Sequence, residues 1–338
     1  MSEIGAAVYS TIAERVKKIS DGVINRNRLL SYMNDNGCMM YNKGGAEIRG
    51  PFRYTASAIA GYTNDLGVGG AQTTQTFVEY AFNWRQFLGR PFILEFQEER
   101  NQNASQVAKV FTMAKAQLDE VRQAASARIG RASYAADTTT ESVDTGTPIN
   151  GLEGIIANTG TYGGLSRTTY SAWQAQIQAV TNPSQDDNSN GVTNRVEGMN
   201  TLYLNCSAGK GIDGDGIKDN VATEKEETDH IITTQTLYNT YKNALMPQQR
   251  YSGRSGSDLT SLLFGIAEVE WDPACTAARM YFLNKNYLEF WCVNSKLLMA
   301  KDPIRSGSPL GTMYPISGQH CLYSRNPRYL GAVQTTGS

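Results

Sequence analysis

Residues 101–132 read NQNASQVAKVFTMAKAQLDEVRQAASARIGRA, and this stretch carries the clearest helical pattern in the chain. Asn103 and Gln106 resemble an N-cap with its reciprocal partner, and Gly130 is typical of a helix end. At 1.5 Å per residue, the pattern predicts a helix about 45–50 Å long. The apolar positions that would share one face are Val107, Val110, Phe111, Ala114, Leu118, Val121, Ala125 and Ile129.

The segment before this helix, residues 43–95, predicts a long β-hairpin. It begins with Gly44-Gly45, and residues 64–70, NDLGVGG, supply the Asn, Asp and Gly that a tight tip needs. An arm of about 14 residues reaches roughly 45 Å. A two-stranded hairpin of that length is poorly stable in water, so it needs a partner surface, either its own domain or another copy of the chain.

The first residues of the chain, 1–36, predict an amphipathic helical arm, because apolar side chains recur there at helical spacing. This is also the most basic part of the chain. One interpretation is an ordinary helix with a solvated face. The other is an arm that lies along a neighbouring subunit and presents its charges to nucleic acid. The residues that would make this contact are Arg15, Lys17, Lys18, Arg26 and Arg28.

The chain after the long helix mixes loops, helices and short strands, which indicates an α+β fold. Residues 135–165 are rich in Thr and Gly, and Ser166 is expected to cap a short helix. That helix would carry Tyr170, Trp173, Ile177 and Val180. Residues 229–234 predict a buried strand, and a helix follows it. Further strands are expected at 263–271, 279–283 and 287–293, and near 312–333.

The composition of the 338-residue chain is poor in charge and in histidine, with 31 Lys plus Arg, 32 Asp plus Glu and 2 His. No stretch approaches the roughly 20 apolar residues that span a bilayer, and the first residues show no secretory signal. We therefore expect no membrane partner. Only 19% of residues are charged while Tyr counts 18, a surface suited to broad contacts with protein. The odd number of cysteines, 5, indicates reduced, mostly buried thiols in a protein made in the cytoplasm.

Sequence motifs of catalysis and cofactor binding are absent. Gly253-Arg254-Ser255-Gly256-Ser257 misses the nucleophile elbow by one residue, and Gly209-Lys210-Gly211 lacks the rest of a phosphate loop. The chain is therefore expected to be no enzyme and to need no cofactor. One segment faintly resembles a calcium loop, but position five holds Ile217, so a solvated surface loop is favoured. Its candidate ligands are Asp213, Asp215 and Asp219.

Four separated blocks, in order, resemble the major capsid proteins of tailed bacteriophages with the Hong Kong 97-type fold. They are Phe87–Phe92 (FLGRPF); Asn150–Ile156 (NGLEGII) with Tyr162–Arg167 (YGGLSR) and Trp173; Pro247–Tyr251 (PQQRY); and Trp271–Pro273 (WDP) with Met280–Asn284 (MYFLN) and Tyr287-Leu288. The order of arm, hairpin, long helix, Gly-rich loop and α/β segment matches that family too.

This resemblance implies a domain plan and a function. Residues 1–42 would be the N-terminal arm and 43–95 the extended loop. Residues 96–170 and 300–338 would form a peripheral domain around the spine helix, and 171–299 an axial domain. The chain would self-assemble, as hexamers and pentamers, into the icosahedral shell around double-stranded DNA, contacting the DNA without sequence specificity. Scaffolding, portal and decoration proteins are further partners in the family. The expected location is the virion, after synthesis in the host cytoplasm.

One family feature is missing, because residues 44–95 contain no Lys for the covalent cross-link that one branch of the family makes. Three alternatives remain open at this point. A cellular nanocompartment shell would share the fold but need a cargo-peptide site. A hydrolase-like enzyme would need the motifs that are absent. A surface adhesin would need a signal sequence and paired cysteines.

Overall fold

The computed structural model of the chain describes residues 22–54, 77–94, 108–135, 149–180, 195–208, 227–249, 262–307 and 310–335. Five helices are labelled α1 to α5 in chain order. They are α1 (Arg28–Asp35), α2 (Ala108–Tyr134), α3 (Leu152–Ile155), α4 (Arg195–Ala208) and α5 (Gln235–Gln249). A helical segment over 22–26 precedes α1, and two 3-10 segments lie at Ser171–Trp173 and Pro327–Tyr329.

Eighteen strands complete the described structure. The strands of the first half are β1 (Met39–Met40), β2 (Glu47–Arg53), β3 (Phe77–Asn83), β4 (Arg85–Gly89), β5 (Phe92–Leu94), β6 (Thr161–Tyr162), β7 (Leu165–Ser166) and β8 (Gln176–Val180). The strands of the second half are β9 (His230–Thr233), β10 (Leu262–Phe264), β11 (Ala267–Trp271), β12 (Arg279–Leu283), β13 (Leu288–Cys292), β14 (Met299–Ala300), β15 (Ile304–Gly307), β16 (Leu310–Met313), β17 (Ile316–Ser324) and β18 (Gly331–Thr335).

The chain folds into two compact units, of which the first takes its described residues from within 1–46, 84–151 and 289–322. It holds α1, α2 and two sheets. In the larger sheet the order is β1-β13-β17-β14, with β4 also paired to β17, and in the smaller it is β15-β16-β5. Leu29, Leu30 and Met33 of α1 are fully buried, as expected for the apolar face of a packed helix.

The long helix α2 is present, although its C-terminal end differs from the prediction. The helix continues through Gly130 to Tyr134, and residues 101–107, including the predicted N-cap, lie outside the described part. Glycine ends a helix only where the backbone turns to positive φ, and Gly130 does not do so. Burial of Tyr134 and a bond from Ser133 Oγ to the Ile129 carbonyl (2.7 Å) stabilise the added turn.

The second unit takes its described residues from within 47–83, 152–288 and 323–338. It contains a six-stranded mixed sheet of order β10-β11-β9-β12-β18-β8, together with the β2-β3 hairpin and the short β6-β7 pair. β9 is buried at all four residues, as the sequence predicts for 229–234. One core is formed between α4, α5 and the sheet, and it includes Met199, Leu202, Cys206, Ile231, Leu237, Tyr241, Val269, Phe282 and Val333.

Two sequence predictions in this unit are wrong. The expected strand 263–271 is a hairpin, because Gly265 adopts a φ of 63° and reverses the chain between β10 and β11. The helix expected after Ser166 is replaced by a 3-10 turn and by β8, which pairs in parallel with β18. Ile177 and Val180 therefore lie in a strand, because their ladder with residues 332 and 335 outweighs a weak helical spacing.

The compact units divide the chain differently from the predicted domains at four places. Residues 84–95 of the predicted extended loop and 289–299 of the predicted axial domain group with the long helix. Residues 152–170 and 323–338 group with the six-stranded sheet, whereas the predicted boundaries place them with the long helix. The reason at the C-terminal end is β18, which lies inside that sheet between β12 and β8. Main-chain pairing of this kind joins segments far apart in sequence, so the local sequence pattern does not predict it.

Candidate assembly site

Six aromatic rings hold the root of the β2-β3 hairpin, and we call this cluster the aromatic anchor. It consists of Phe52, Tyr80, Phe82, Tyr162, Trp173 and Tyr323. Ring centroids lie 4.4 Å apart for Phe52 and Trp173, 5.4 Å for the stacked Tyr80 and Trp173, and 4.7 Å for Phe82 and Tyr162. Aromatic pairs at these separations contribute about 0.5–1.5 kcal/mol beyond the area they bury. The hairpin root is therefore fixed to its own unit.

Strand alternation explains why the hairpin contributes three of these rings. Side chains of β2 and β3 point alternately to opposite faces, and the register pairs Gly50 with Tyr80 and Phe52 with Val78. Gly50 is required because the Tyr80 hydroxyl occupies the place where a β-carbon would lie. The buried face therefore carries Ile48, Phe52, Tyr80 and Phe82.

Trp173 is positioned by the loop between α3 and β8. Its indole Nε1 donates to the Tyr162 carbonyl (2.9 Å), and the backbone N–H of Ser324 donates to the Tyr162 hydroxyl (2.9 Å). Gly163, at a φ of 58°, accepts a bond from the Ala81 backbone N–H (3.0 Å) on β3. A β-carbon at Gly163 would come within 2.8 Å of the Phe82 ring, so only glycine fits both the turn and the contact.

Arg167 is a buried cation that organises this loop. Its guanidinium donates to the carbonyl oxygens of Thr159 (2.9 Å), Gly154 (2.7 Å) and Ile155 (2.8 Å). It also lies 5.0 Å from the centroid of the Tyr162 ring. Burial lowers the pKa of Arg167, because the charged form loses hydration, and carbonyl dipoles partly replace that hydration. Arg167 thus ties α3 and the Gly-rich loop to the aromatic anchor.

The opposite face of the hairpin is polar and charged. Arg49 Nη2 lies 2.8 Å from Glu47 Oε2, and Arg49 Nη1 lies 3.4 Å from Glu79 Oε2 on the facing strand. The hydrogen bond and charge of Glu47, followed by the charge of Glu79, raise the pKa of Arg49. Arg49 and Glu79 are exposed and Glu47 is half-buried, so the pairs contribute little to stability, and Arg49 and Glu79 remain accessible to a partner.

The two ends of the hairpin are joined at a tryptophan. Trp84 Nε1 donates to the Gly45 carbonyl (2.9 Å), which closes the chain on either side of the β2-β3 pair. Trp84 and Trp291 lie 6.5 Å apart by ring centroids, and Lys43 Nζ is 5.2 Å from the centroid of the Trp291 ring. Gly45 and Trp84, which flank the hairpin in the sequence, are thus held together by a hydrogen bond.

The structure describes two of the predicted nucleic-acid contacts, Arg26 and Arg28, and both are exposed. The other three, Arg15, Lys17 and Lys18, lie outside the described residues, as do the calcium-loop candidates Asp213, Asp215 and Asp219. The hairpin tip also lies outside them.

Reactive side chains in the described part of the chain do not converge. His320 is buried and stacked on Phe290 (5.4 Å between centroids), and His230 Nε2 lies 3.6 Å from Glu270 Oε2. All five cysteines are free and buried, as predicted, and burial raises the pKa of Cys292 to about 12. Within the described ranges, no group of three or more His, Cys, Asp or Glu could hold a metal ion. None of the described helices is long and apolar enough to cross a membrane.

The sequence pointed to the aromatic anchor but not to the role of Arg167. Tyr162 and Trp173 of the anchor belong to the second resembling block, and Tyr80 and Phe82 lie in the predicted hairpin; all four side chains are buried. Arg167 entered only as part of a resembling block. The sequence feature that could have indicated this role is an arginine shortly after a Gly-Gly pair in a Gly-rich loop, because such loops leave backbone carbonyls in need of a donor.

Comparison with known proteins identifies the fold. No family model and no curated protein matches the sequence. Among solved structures, a chain of the cyanophage A-1(L) capsid asymmetric unit is similar at a TM-score of 0.64 and 15% identity, covering 90% of this chain and 93% of that one. A chain from the capsid of a native GTA particle has a TM-score of 0.56 at 9% identity, covering 90% of both chains. One from Mycobacterium phage Bobi has a TM-score of 0.51 at 11% identity, covering 89% of this chain and 90% of that one.

These matches extend over nearly the whole chain and run through both units. At such low identity they establish the fold alone, which is the fold of capsid proteins. The predicted α+β class agrees with it.

Proposed function

We propose that this chain is the major capsid protein of a tailed bacteriophage, and that its copies self-assemble into the icosahedral shell enclosing the double-stranded DNA genome. The observation that carries the proposal is the shared capsid fold over 90% of the chain. A shell-forming subunit acts by binding other subunits, so we expect neither catalysis nor a cofactor. Its location is the virion, after synthesis in the host cytoplasm.

The hairpin is the element that would join one subunit to the next. Its root is rigid because the aromatic anchor fixes one face, while the charged face with Arg49 and Glu79 stays open. A rigid root allows the arm to present its surface to a neighbour without a large entropic cost of ordering. Contacts of this kind between different surfaces of identical subunits close into rings of five and six.

We also propose a domain plan for the capsid subunit. We assign α2 to a peripheral domain and the six-stranded sheet to an axial domain near the symmetry axes. The segment before β2 serves as the N-terminal arm, and residues around the β2-β3 pair serve as the extended loop. Scaffolding, portal and decoration proteins would complete the particle.

Packaged DNA would contact the inner face through basic residues of the arm. The contributors are Arg15, Lys17, Lys18, Arg26 and Arg28, of which the last two are exposed. Phosphate contacts of this kind carry no base specificity and weaken with salt. Because the net charge of the whole chain is only -1, such binding depends on the basic residues of the arm.

Negative-stain microscopy tests the function. The protein is expressed alone and with the neighbouring genes, and we expect shells, tubes or capsomers. Monomers under every condition would refute the proposal. A nanocompartment, the alternative with the same fold, would instead yield DNA-free shells that co-purify with a cargo protein. DNA-filled particles would favour the phage capsid.

A further inference from the structure

His320 of β17 is buried inside the larger sheet of the first unit. It is 3% exposed, and its ring stacks on Phe290 of β13 with 5.4 Å between centroids and 21° between the planes. In the described part of the chain, its Nδ1 has no hydrogen-bond partner. Both ring nitrogens of a protonated histidine are donors that need acceptors, so this environment accepts only the neutral ring. Burial accordingly lowers the pKa of His320 to about 4.

The charged groups on the neighbouring strands do not favour a protonated His320. Arg85 of β4 lies directly opposite His320 in the β4-β17 ladder, and a guanidinium cannot stabilise a second cation. Glu289 of β13 points to the other face of the sheet, because side chains alternate along a strand and Phe290 faces His320. The remaining carboxylates in the described part of the first unit are exposed, and they are Asp35, Asp119, Glu120 and Asp302.

The long helix α2 covers the face of the sheet on which His320 lies. A β-carbon at Gly89 would come within 3.0 Å of Val121 of α2 and 3.9 Å of the Ile316 β-carbon. His320 is four residues after Ile316 in the same strand, so the two side chains share this face. Arg122, which follows Val121, is half-buried, and the buried positions further along α2 are uncharged. The helix therefore adds a cation and apolar groups, not an anion, to this side of the sheet.

Among the strands next to His320, β4 has the fewest buried side chains. β13 and β14 follow one another along one edge of β17, and in the described part of the chain β4 alone covers the other edge. Every side chain of β4 is half-buried or exposed, whereas all but one of those of β13 are buried. Segments with few buried contacts open at the lowest free energy. Opening of β4 is therefore the easiest way for water to reach His320.

We propose that His320 is an acid sensor, whose protonation releases β4 from β17 while β13 keeps its pairing. The imidazolium regains hydration when the edge of β17 is uncovered, so the open form binds the proton that the closed form excludes. β4 follows β3 after a single residue, Trp84, so its release also frees the chain on the C-terminal side of the hairpin. The device belongs to the single subunit and goes beyond the proposed function, since it does not depend on assembly.

The test measures amide hydrogen exchange of β4 and β13 in the full-length protein by mass spectrometry, at pH 7 and pH 4.5. Protection factors, corrected for the intrinsic exchange rate at each pH, are compared between the wild type and His320→Gln. We expect β4 of the wild type to lose protection at least tenfold on acidification, and to stay at least tenfold less protected than β13. In His320→Gln the loss in β4 should be less than twofold.

The matched control is His230→Gln, which replaces the second histidine of the chain. His230 on β9 has a carboxylate beside it, with 3.6 Å between its Nε2 and Glu270 Oε2, so its protonated form gains a partner. This variant should keep the acid response of β4. A response that persists in His320→Gln, or equal protection of β4 and β13 in the wild type at pH 4.5, would overturn the inference.

A second variant leaves the histidine in place. Leu88→Cys, Ser317→Cys puts two thiols at directly opposite positions of the β4-β17 ladder, and oxidation with diamide joins them, while the five native cysteines are buried. Circular dichroism at pH 7 checks that both forms are folded. We expect the oxidised form to keep the protection of β4 at pH 4.5 within twofold, and the reduced form to lose it at least tenfold. Equal losses in the two forms would contradict the release of β4.

Discussion

Among single residues, Arg167 shows how one cation can organise a loop without a carboxylate. Its three bonds go to carbonyl oxygens of residues 154, 155 and 159, and two of these residues belong to α3. The last carbonyls of a helix lack partners within it, so a donor placed there satisfies groups that burial would otherwise leave unpaired. The loop conformation that positions Trp173 therefore depends on this side chain.

Replacing Arg167 should destabilise the fold more than replacing an exposed arginine. For Arg167→Gln we expect a loss of about 2–4 kcal/mol in the free energy of unfolding, because buried carbonyls lose their donors. Chemical denaturation followed by tryptophan fluorescence measures the change. The control is Arg305→Gln on β15, an exposed position expected to change stability by no more than about 0.5 kcal/mol. A similar loss in both variants would contradict the role given to Arg167.

His320 should make the fold sensitive to mild acid. Burial lowers its pKa from 6.5 to about 4, since the imidazolium would lose its hydration inside the sheet. Between these two values the unfolded chain binds a proton that the folded chain does not. The contribution of the neutral, buried His320 to the free energy of unfolding is thus fully present above pH 6.5 and is lost as the pH falls toward 4. The free energy of unfolding changes in this range by up to about 1.4 kcal/mol per pH unit.

The variant His320→Gln isolates this contribution. Unfolding free energies of wild type and variant are measured from pH 8 to pH 4, and the difference between them should change only below pH 6.5. Curves that stay parallel through this range would show that His320 is not responsible.

At the scale of elements, the hairpin and the Gly-rich loop stabilise each other. β2 and β3 alone form only a two-stranded pair, which is marginal in water. The aromatic anchor supplies the missing packing, because its rings from the loop cover the inner face of the pair. The sequence predicts that the hairpin needs a partner surface, either its own domain or another copy of the chain, and at the hairpin root that surface comes from the same chain.

Truncating Trp173 should loosen this hairpin in particular. For Trp173→Ala we expect a loss of about 3–5 kcal/mol in global stability, together with faster amide exchange at β2 and β3. Hydrogen exchange with mass spectrometry measures both strands. Phe77→Ala serves as the control, since Phe77 is 55% exposed and lies outside the anchor. Unchanged exchange in β2 and β3 of the Trp173 variant would show that the anchor does not hold them.

For the whole molecule, we predict that the proposed shell is stabilised without covalent links between subunits. Residues 44–95 contain no Lys, so the lysine–asparagine bond made by one branch of the resembling family has no donor there. The five cysteines are buried and free, so disulfides between subunits are not expected either. We therefore expect packing and charge to supply the stability of the particle.

Assembled particles should therefore dissociate fully in boiling detergent. A denaturing gel of purified particles is expected to give one band at the mass of a single subunit, with or without reductant. A ladder of higher bands that survives the reductant would contradict this prediction. A ladder that the reductant removes would instead locate an exposed thiol.

The sequence by itself determined the elements whose signal is local. The helical spacing over 101–132 predicted α2 to within two residues at its C-terminal end, and the buried run at 229–234 predicted β9. The glycine-punctuated hairpin was predicted too, and the two strands of its root are observed. In each case the periodicity or turn chemistry of neighbouring residues suffices, because the interactions that decide the conformation are close in sequence.

Only the tertiary structure decided the features that depend on distant partners. Ile177 and Val180 form a strand because β18 pairs with them. Gly265 divides the apolar run 263–271 into two strands, because the turn needs a positive φ and the Tyr203 ring leaves little room for a β-carbon. Arg167 and Trp173 acquire their roles from carbonyls and rings that the fold brings together. Main-chain ladders and buried polar bonds act across long sequence separations, so no local pattern in the chain encodes them.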